Sequence, residues 1–156
     1  MINDTRQPRS SDRRLQPQQR DTASSTQFDH ITLSPPLNPD LFCDTAREAA
    51  QAVARADNQR NKSTQLRRFY DELLLWEMRV RQVEEARQSE KFEEFLPFIR
   101  MLNAKAAYAE GRKLVDRTFV KLMHHTLAEV KDPQSLTACK LFWEAFMGFY
   151  KQERQD

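Results

Sequence analysis

The clearest structural pattern in the chain lies in residues 64–87, TQLRRFYDELLLWEMRVRQVEEAR. Large apolar residues recur there at three- and four-residue steps, the spacing that places side chains on one face of a helix. These residues are Leu66, Phe69, Leu73, Trp76, Val80 and Val83. Ser63 or Thr64 is placed to cap the N-terminus of such a helix. We therefore predict a long amphipathic helix over about 64–87, with one face buried against other helices.

The composition of the 156-residue chain favours helices throughout. Charged residues make up 31% of the chain and there are only two glycines, whereas Ala, Leu, Gln, Glu and Arg are abundant. Straight-chain residues lose little side-chain freedom in a helix. The composition and length therefore predict an all-α protein with a single structured domain.

Residues 1–37 differ in composition from the rest of the chain, being rich in Arg, Gln, Ser, Asp and Pro. Their main apolar residues, which are too sparse to form a buried face, are Ile2, Leu15, Phe28, Ile31, Leu33 and Leu37. Five arginines face four aspartates, a balance typical of a solvated tail rather than of a nucleic-acid-binding arm. We predict a disordered polar tail over 1–37, followed by one all-helical domain over 38–156.

Two Asx-Pro signals mark helix starts within that domain. Asn38 is placed as a cap and Pro39 at the first helical position, where a missing N–H does no harm, so a first helix is predicted over 39–57. Asp132 and Pro133 form the same signal near the end of the chain. They predict a last helix that runs towards the C-terminus.

The middle of the domain is divided by a proline and a glycine. A third helical region begins near Glu90, and Pro97 predicts either a kink or a break within it. Gly111 is expected to end the region in left-handed geometry, and a fourth helix is predicted over about 114–130. Because short links join antiparallel neighbours, we predict a compact helical bundle of five to six helices.

Several classes of protein and site are excluded by the sequence. No apolar run is long enough for a membrane span and the N-terminus is not a secretory signal, so we expect a cytoplasmic protein. Cys43 and Cys139 match no metal spacing, which predicts two reduced thiols, with Cys139 in the core. Adjacent helical residues point about 100° apart, so His124 and His125 are expected to be one half-buried and one solvated. We predict no metal, cofactor or catalytic site.

The last predicted helix combines an acid with many aromatic residues. Glu144, within FWEAF, is expected to be buried and paired with a tyrosine hydroxyl or an arginine, as a structural group rather than a general base. The aromatic residues of this helix are Phe142, Trp143, Phe146, Phe149 and Tyr150. Their face is wider than one core contact needs, so part of it is a candidate contact surface, which Phe149→Glu would disrupt.

Positive charge is concentrated between Arg100 and Lys121. Six cations against two acids give this stretch a net charge of +4, whereas the whole chain carries +2. Like charges at four-residue spacing on a helix repel each other by roughly a few tenths of a kcal/mol per pair, so the cluster favours a partner of opposite charge, and phosphate is the natural one. The alternative is an ordinary solvated surface without a nucleic-acid role.

Helical geometry predicts where these cations lie. Lys105, Tyr108 and Arg112 are expected along one edge of a helix. An exposed stripe at four-residue intervals is predicted in the next helix, formed by Lys113, Arg117 and Lys121. For Tyr108 we favour packing beside the core with its hydroxyl in water; stacking on a base or ribose is the alternative.

Three segments, in this order and spacing, resemble the small all-helical subunit of type III-A CRISPR effector complexes, the Csm family. They are STQLRRFYDEL (63–73), LNAKAAYAEGR (102–112) and FWEAFMGFYK (142–151), and the resemblance covers about residues 62–152. The resemblance implies a helical bundle that stacks in several copies along a filament. Its partners would be further copies of itself, the backbone subunits that carry the guide RNA, and the large subunit.

The resemblance also implies a non-catalytic role. Members contact the crRNA–target RNA duplex through basic side chains, whereas target cleavage belongs to the backbone subunit, and DNase and cyclic-oligoadenylate activities belong to the large subunit. The candidates carried over from the matching motifs are Arg67, Arg68, Lys105 and Arg112. Charge alone adds Lys113, Arg117 and Lys121. The alternative function is a helical protein–protein interaction adaptor without nucleic-acid binding.

Overall fold

The computed structural model describes residues 27–156 of the chain. A π-helical turn precedes six α-helices, and no β-strand occurs among the described residues. The turn spans Leu41–Thr45, and the helices are α1 (Ala46–Ala56), α2 (Ser63–Arg81), α3 (Glu85–Arg100), α4 (Leu102–Gly111), α5 (Arg117–Ala128) and α6 (Pro133–Glu153). The prediction of an all-α bundle of five to six helices is confirmed.

The longest helix, α6, lies at the centre of the core and packs mainly against α1 and α2. Four of its aromatic side chains are fully buried: Phe142, Trp143, Phe146 and Tyr150. Phe119 of α5 meets Trp143 edge-on, with ring centroids 5.7 Å apart. The indole N–H of Trp143 donates a hydrogen bond to Thr126 Oγ1 at 3.1 Å, so its polar atom is satisfied inside the core.

Neighbouring helices cover those four residues, so among the aromatic residues of α6 only Phe149 stays a candidate for the predicted contact surface. Phe149 is partly buried against the same core, and the guanidinium of Arg47 lies 4.7 Å from the centre of its ring. The wide aromatic face of α6 therefore holds several helices together.

Glu144 is exposed and lies 3.3 Å from Lys140 Nζ, so the prediction that it is buried is wrong. Its place on α6 falls between the positions that face the core. A glutamate that is buried lies instead on α2, where Glu77 is 4% exposed. It accepts a hydrogen bond from Thr137 Oγ1 at 3.0 Å and lies 3.4 Å from Arg81 Nη1.

The predicted helix over 64–87 is two helices. α2 ends at Arg81, and α3 begins at Glu85 after a short turn. The turn allows α3 to fold back on α2, where Trp76 contacts Phe95 and stacks on Phe98 with ring centroids 5.5 Å apart. An acid in the first turn of α3 is favoured by the helix dipole. Tertiary contacts of the aromatic residues therefore override the continuous apolar pattern.

The break between α3 and α4 falls after Pro97 rather than at it. Pro97 lies inside α3, and the helix is interrupted at Met101, whose N–H donates to the carbonyl of Pro97 at 3.1 Å. Gly111 ends α4 as predicted, but left-handed geometry occurs two residues later, at Lys113 with φ 61°. The prediction of left-handed geometry at Gly111 is therefore wrong.

Aspartates cap the last two helices. Asp116 accepts a hydrogen bond from the N–H of Phe119 at 3.0 Å, which places the start of α5 at Arg117. Asp132 accepts from the N–H of Ser135 at 2.7 Å, in a capping box with Pro133 in the first turn of α6. The predicted cap at Asp132 is confirmed, whereas neither Ser63 nor Thr64 caps α2, which begins at Ser63 itself.

The predicted tail extends over residues 1–37, and its part in 1–26 lies outside the described residues. Phe28, Ile31 and Leu33 are buried, so the expectation that they form no buried face is wrong. The ring nitrogen Nε2 of His125 lies 2.7 Å from the carbonyl oxygen of Ile31, and the Leu33 N–H donates to Glu129 at 3.3 Å. Contacts with α5 therefore fix a segment that is too short to show a sequence pattern.

The predicted first helix over 39–57 is α-helical only from Ala46, because the residues before it form the π-helical turn. The side chain of Asn38 accepts a hydrogen bond from the Asp40 N–H at 2.9 Å, immediately before that turn. Its position as a local cap is close to the one that the sequence indicated.

A buried asparagine ties the α1–α2 loop to the rest of the fold. Asn61 is fully buried, with φ 57°, and its side chain exchanges two hydrogen bonds with Asp116, each of 2.8 Å. The carbonyl of Asn61 accepts a hydrogen bond from the hydroxyl of Tyr150. Burial raises the pKa of Tyr150 to about 12. This network fixes the linker between α4 and α5.

Two further features concern the exclusions made from sequence. No helix within residues 27–156 combines the length and apolarity that crossing a bilayer requires. Cys43 is an exposed free thiol and Cys139 a fully buried one, which confirms the predicted core position of Cys139. Burial raises the pKa of the Cys139 thiol to about 12.

Candidate nucleic-acid interface

Arg68, Lys105 and Arg112 line one shallow pocket between α2 and α4, which we call the α2–α4 pocket. Its volume is about 230 Å³. The other residues that line it are Gln65, Phe69, Glu72, Tyr108, Ala109 and Leu114. Residues 82–101 separate these two helices in the chain, and yet the helices bring three of the predicted cations to one place.

The packing of α4 explains why its polar residues reach the pocket. Ala106 and Ala109 face the core, together with Leu102 at the start of the helix. The residues that alternate with them, Lys105 and Tyr108, fall on the exposed side. Arg112 follows directly after the helix, so the predicted edge of Lys105, Tyr108 and Arg112 is confirmed as a geometric feature.

Lys105 is held by an acid from α2. Its Nζ lies 2.6 and 2.8 Å from the two carboxylate oxygens of Glu72. The Lys105 side chain remains 45% exposed, so the pair contributes only about 0–1 kcal/mol to stability. Its main effect is to position the ammonium at the pocket and to reduce the net positive charge there.

Tyr108 is 67% exposed, so the prediction that it packs beside the core is wrong. Its position on α4 points away from the alanines that make the core contact. The guanidinium of Arg112 lies 5.7 Å from the centre of its ring, within the range of a cation–π contact. The pocket therefore has an accessible aromatic wall beside its cations.

All three cations of the predicted stripe lie outside the α2–α4 pocket. Lys113 is in the linker before α5, with φ 61°, so its predicted place on the same helix as Arg117 and Lys121 is wrong. Lys121 is exposed on α5. Arg117 Nη1 lies 3.2 Å from Glu110, which joins the end of α4 to the start of α5. These three residues extend the positive charge from the pocket along α5, but they do not line it.

Arg67 points away from its neighbour Arg68. Its Nε donates to Asp71 at 2.8 Å, and its guanidinium lies 5.2 Å from the ring centre of Tyr70. Asp71 thereby raises the pKa of Arg67. Arg67 lines a separate groove between α2 and α6 together with Glu144. The two arginines were predicted as one motif, but they lie on different faces of α2 and line different pockets.

Arg68 and Arg112 are the most available cations of the α2–α4 pocket. Both are exposed, and neither takes part in an ion pair with a carboxylate within residues 27–156. An unpaired guanidinium presents several N–H donors in a plane that matches a phosphate. The arrangement suits an anionic ligand that has an aromatic or apolar part.

Sequence reasoning missed two polar residues of the pocket, Gln65 and Glu72. Glu72 follows Arg68 by four residues, a spacing that places both on the same face of a helix. That spacing was a usable signal for Glu72. Its pairing with Lys105 depends on the packing of α2 beside α4, which no local pattern shows.

The described histidines are not part of this site. His125 is half-buried against the segment before α1, with its side chain 19% exposed, whereas His124 is exposed. This confirms the predicted contrast between them. Within residues 27–156, no group of three His, Cys, Asp or Glu side chains is placed to hold a metal ion.

Comparison with known proteins gives one family match. A family model described as Csm2 Type III-A matches residues 37–156, which is most of the chain and all six helices. No curated protein and no solved structure matches the chain.

Proposed function

Since the chain belongs to the type III-A Csm2 family, and is thus a small subunit of the Csm effector complex, we propose that it contacts the RNA of that complex through the α2–α4 pocket and its rim. The observation that carries this proposal is the convergence of Arg68, Lys105 and Arg112 from two helices on one surface. Scattered solvated cations would have no reason to converge in this way.

The chemistry of these side chains favours the RNA backbone as their target. Phosphate contacts from Lys and Arg position a protein on nucleic acid without reading its sequence. An effector directed by an exchangeable guide needs such contacts, because the bases carry the information by pairing. The cations at the rim of the pocket, Arg68, Lys105 and Arg112, therefore bind phosphate and ribose groups of the crRNA–target RNA duplex, whatever the sequence.

The same proposal assigns the other cations a smaller part. Lys113, Arg117 and Lys121 extend the positive charge along α5 and attract RNA over a distance of about a Debye length. Arg67 lies on another face, so its contribution is to the general charge or to a neighbouring subunit. Each of these four residues is expected to affect RNA capture less than Arg68, Lys105 or Arg112.

Within the complex, the proposed role is structural and non-catalytic. The subunit stacks in several copies beside the backbone and large subunits, which perform the chemistry, and it requires no cofactor of its own. The assembled particle acts in the cytoplasm, where its crRNA and target RNA are found.

The test is charge reversal on one side of the pocket. The double variant Lys105→Glu, Arg112→Glu is assembled with the other Csm subunits and crRNA, and capture of target RNA is measured by filter binding. We expect capture to fall at least tenfold, because two attractive contacts become repulsive. The matched control, Arg55→Glu with Lys131→Glu, changes the net charge equally at exposed sites away from the pocket.

Two results would contradict the proposal. Unchanged capture by a fully assembled double variant would favour the protein–protein adaptor function over RNA contact. Equal losses in the pocket variant and the control variant would mean that net charge alone matters. Size-exclusion chromatography of each particle separates both results from a failure of assembly.

A further inference from the structure

Resting on the RNA contact proposed above, we infer that the α2–α4 pocket binds one unpaired nucleobase of the RNA, with Tyr108 as its stacking surface. Phosphate contact alone accounts for Arg68, Lys105 and Arg112. It does not account for an exposed aromatic ring, an apolar floor and a carboxylate in the same pocket.

The size and floor of the pocket suit a single base. Its volume, about 230 Å³, is below the roughly 300–1,000 Å³ of sites that enclose larger ligands. Phe69 and Ala109, which are 6% and 4% exposed, line it together with the half-exposed Leu114. A flat heteroaromatic ring can rest on such a surface, because its faces are apolar and its edges polar.

Tyr108 supplies the stacking partner. Arg112 lies near its ring at 5.7 Å, and yet 67% of the residue remains exposed. When a base covers an aromatic surface that is otherwise exposed to water, the stacking stabilises the complex. Arg112 is then close enough to the stacked base to reach the adjoining phosphate.

Glu72 places a hydrogen-bond acceptor in the pocket, and its negative charge is unfavourable in a site that binds only phosphate. Its carboxylate lines the pocket while it pairs with Lys105 at 2.6 Å, and its side chain is 24% exposed. A carboxylate repels phosphate, but it accepts hydrogen bonds from a base amino group or a ribose hydroxyl. The acid within the cationic rim therefore fits a nucleoside inside the pocket with its phosphates outside.

These features distinguish unpaired RNA from duplex RNA. In an A-form helix the faces of the bases are covered by their stacked neighbours, whereas an unpaired base can turn outwards and stack on an aromatic side chain. A duplex would therefore rest on the cationic rim and leave the pocket empty. A strand with an unpaired base gains the additional contact with Tyr108.

The experiment measures fluorescence anisotropy of the full-length chain with three probes. These are a short single-stranded RNA of mixed sequence, the same strand with abasic sites, and a blunt RNA duplex of equal charge. Tyr108→Ala is expected to weaken binding of the base-bearing single strand about fivefold or more. It leaves the abasic strand and the duplex unchanged, because they bind through the rim alone.

Two variants control for the aromatic chemistry. Tyr108→Phe keeps the ring and is expected to bind all three probes like the wild type. Phe98→Ala removes another aromatic residue, 48% exposed, which does not line the pocket, and it is expected to change nothing. Where the free chain binds too weakly, the strand is tested in the assembled complex with 4-thiouridine at unpaired positions, and cross-links are mapped by mass spectrometry.

The outcomes separate the two proposals. If Lys105→Glu, Arg112→Glu weakens all probes but Tyr108→Ala weakens none, or if no cross-link maps to Tyr108, the base pocket is refuted while the backbone contact stands. If the charge variant changes no probe, the backbone contact fails. An aromatic side chain of a neighbouring subunit found in the pocket would also overturn the inference.

Discussion

The aromatic residues of α6 and the tyrosine of α4 have opposite environments in one small bundle. Phe142, Trp143, Phe146 and Tyr150 are completely buried, whereas Tyr108 exposes 67% of its surface beside two cations. The first group joins α1, α2 and α5 into a core. Tyr108, in contrast, contributes little to the core and much to the accessible surface. The aromatic residues of α6 therefore serve stability, whereas Tyr108 of α4 belongs to the proposed RNA contact.

This separation has a physical reason. Removing the apolar area of a core side chain from water stabilises the fold, and the fully buried aromatic rings of α6 are among the largest side chains in that core. A binding edge must keep its side chains accessible, so α4 contacts the core with small residues, Ala106 and Ala109. Variants on the two helices should therefore affect different measurements.

The largest effect is expected for Trp143→Ala. The indole is fully buried, contacts Phe119 and Phe146, and donates to Thr126, so its removal leaves a large cavity. The free energy of unfolding in urea is predicted to fall by about 3–5 kcal/mol. The exposed counterpart, Tyr108→Ala, is predicted to change it by less than about 0.5 kcal/mol. Similar losses for both would disprove the division between the helices.

A smaller effect is expected for Tyr150→Phe, which removes one hydrogen bond and keeps the ring. The carbonyl of Asn61 then loses its buried donor, and the free energy of unfolding is predicted to fall by about 1–2 kcal/mol at neutral pH.

The pH dependence of the free energy of unfolding tests the burial of Tyr150 independently. Burial raises the folded-state pKa of Tyr150 from 10.0 to about 12, so the phenol is protonated in both states below pH 10. Its stabilising contribution is then complete, and it is lost as the pH rises from about 10 to about 12. Wild type should lose more stability over this range than Tyr150→Phe, as measured by urea unfolding at each pH. Parallel curves would contradict the assignment.

The sequence predicted the core residues more fully than the residues of the α2–α4 pocket. Apolar positions such as Leu66, Phe69 and Leu73 follow helical spacing, and Asp132 caps its helix by a local interaction, so short-range patterns were sufficient. The break at 82–84 and the burial of Phe28 depend on contacts between distant segments. Those contacts leave no periodic signal in the chain.

The edge was predicted in part for the same reason. Helical geometry placed Lys105, Tyr108 and Arg112 together, because their relation lies within one segment. The participation of Glu72, and the separation of Arg67 from Arg68, follow from how α2 lies beside α4 and α6. The family resemblance, which the family match of residues 37–156 confirms, indicated the assembly that no local pattern could show.

The smallest effect is expected for Glu72→Gln. This variant further separates an effect on RNA binding from an effect on stability. Glu72 pairs with Lys105 at the surface, so the free energy of unfolding should change by less than about 0.5 kcal/mol. Duplex RNA affinity should rise about two- to fivefold at low salt, because a carboxylate no longer competes with phosphate for Lys105. Weaker duplex binding in an anisotropy titration would mean that Glu72 serves mainly to orient the lysine.

The most direct test of the central claim is the salt dependence of target-RNA binding by the assembled complex. Each phosphate contact that is lost should lower the magnitude of the slope of log K against log salt concentration by about 0.7–0.9. For Lys105→Gln, Arg112→Gln in one copy per particle, the account predicts a decrease of about 1.4–1.8. A slope equal to that of the wild type, in a particle of normal composition, would contradict the claim that this edge holds RNA phosphates.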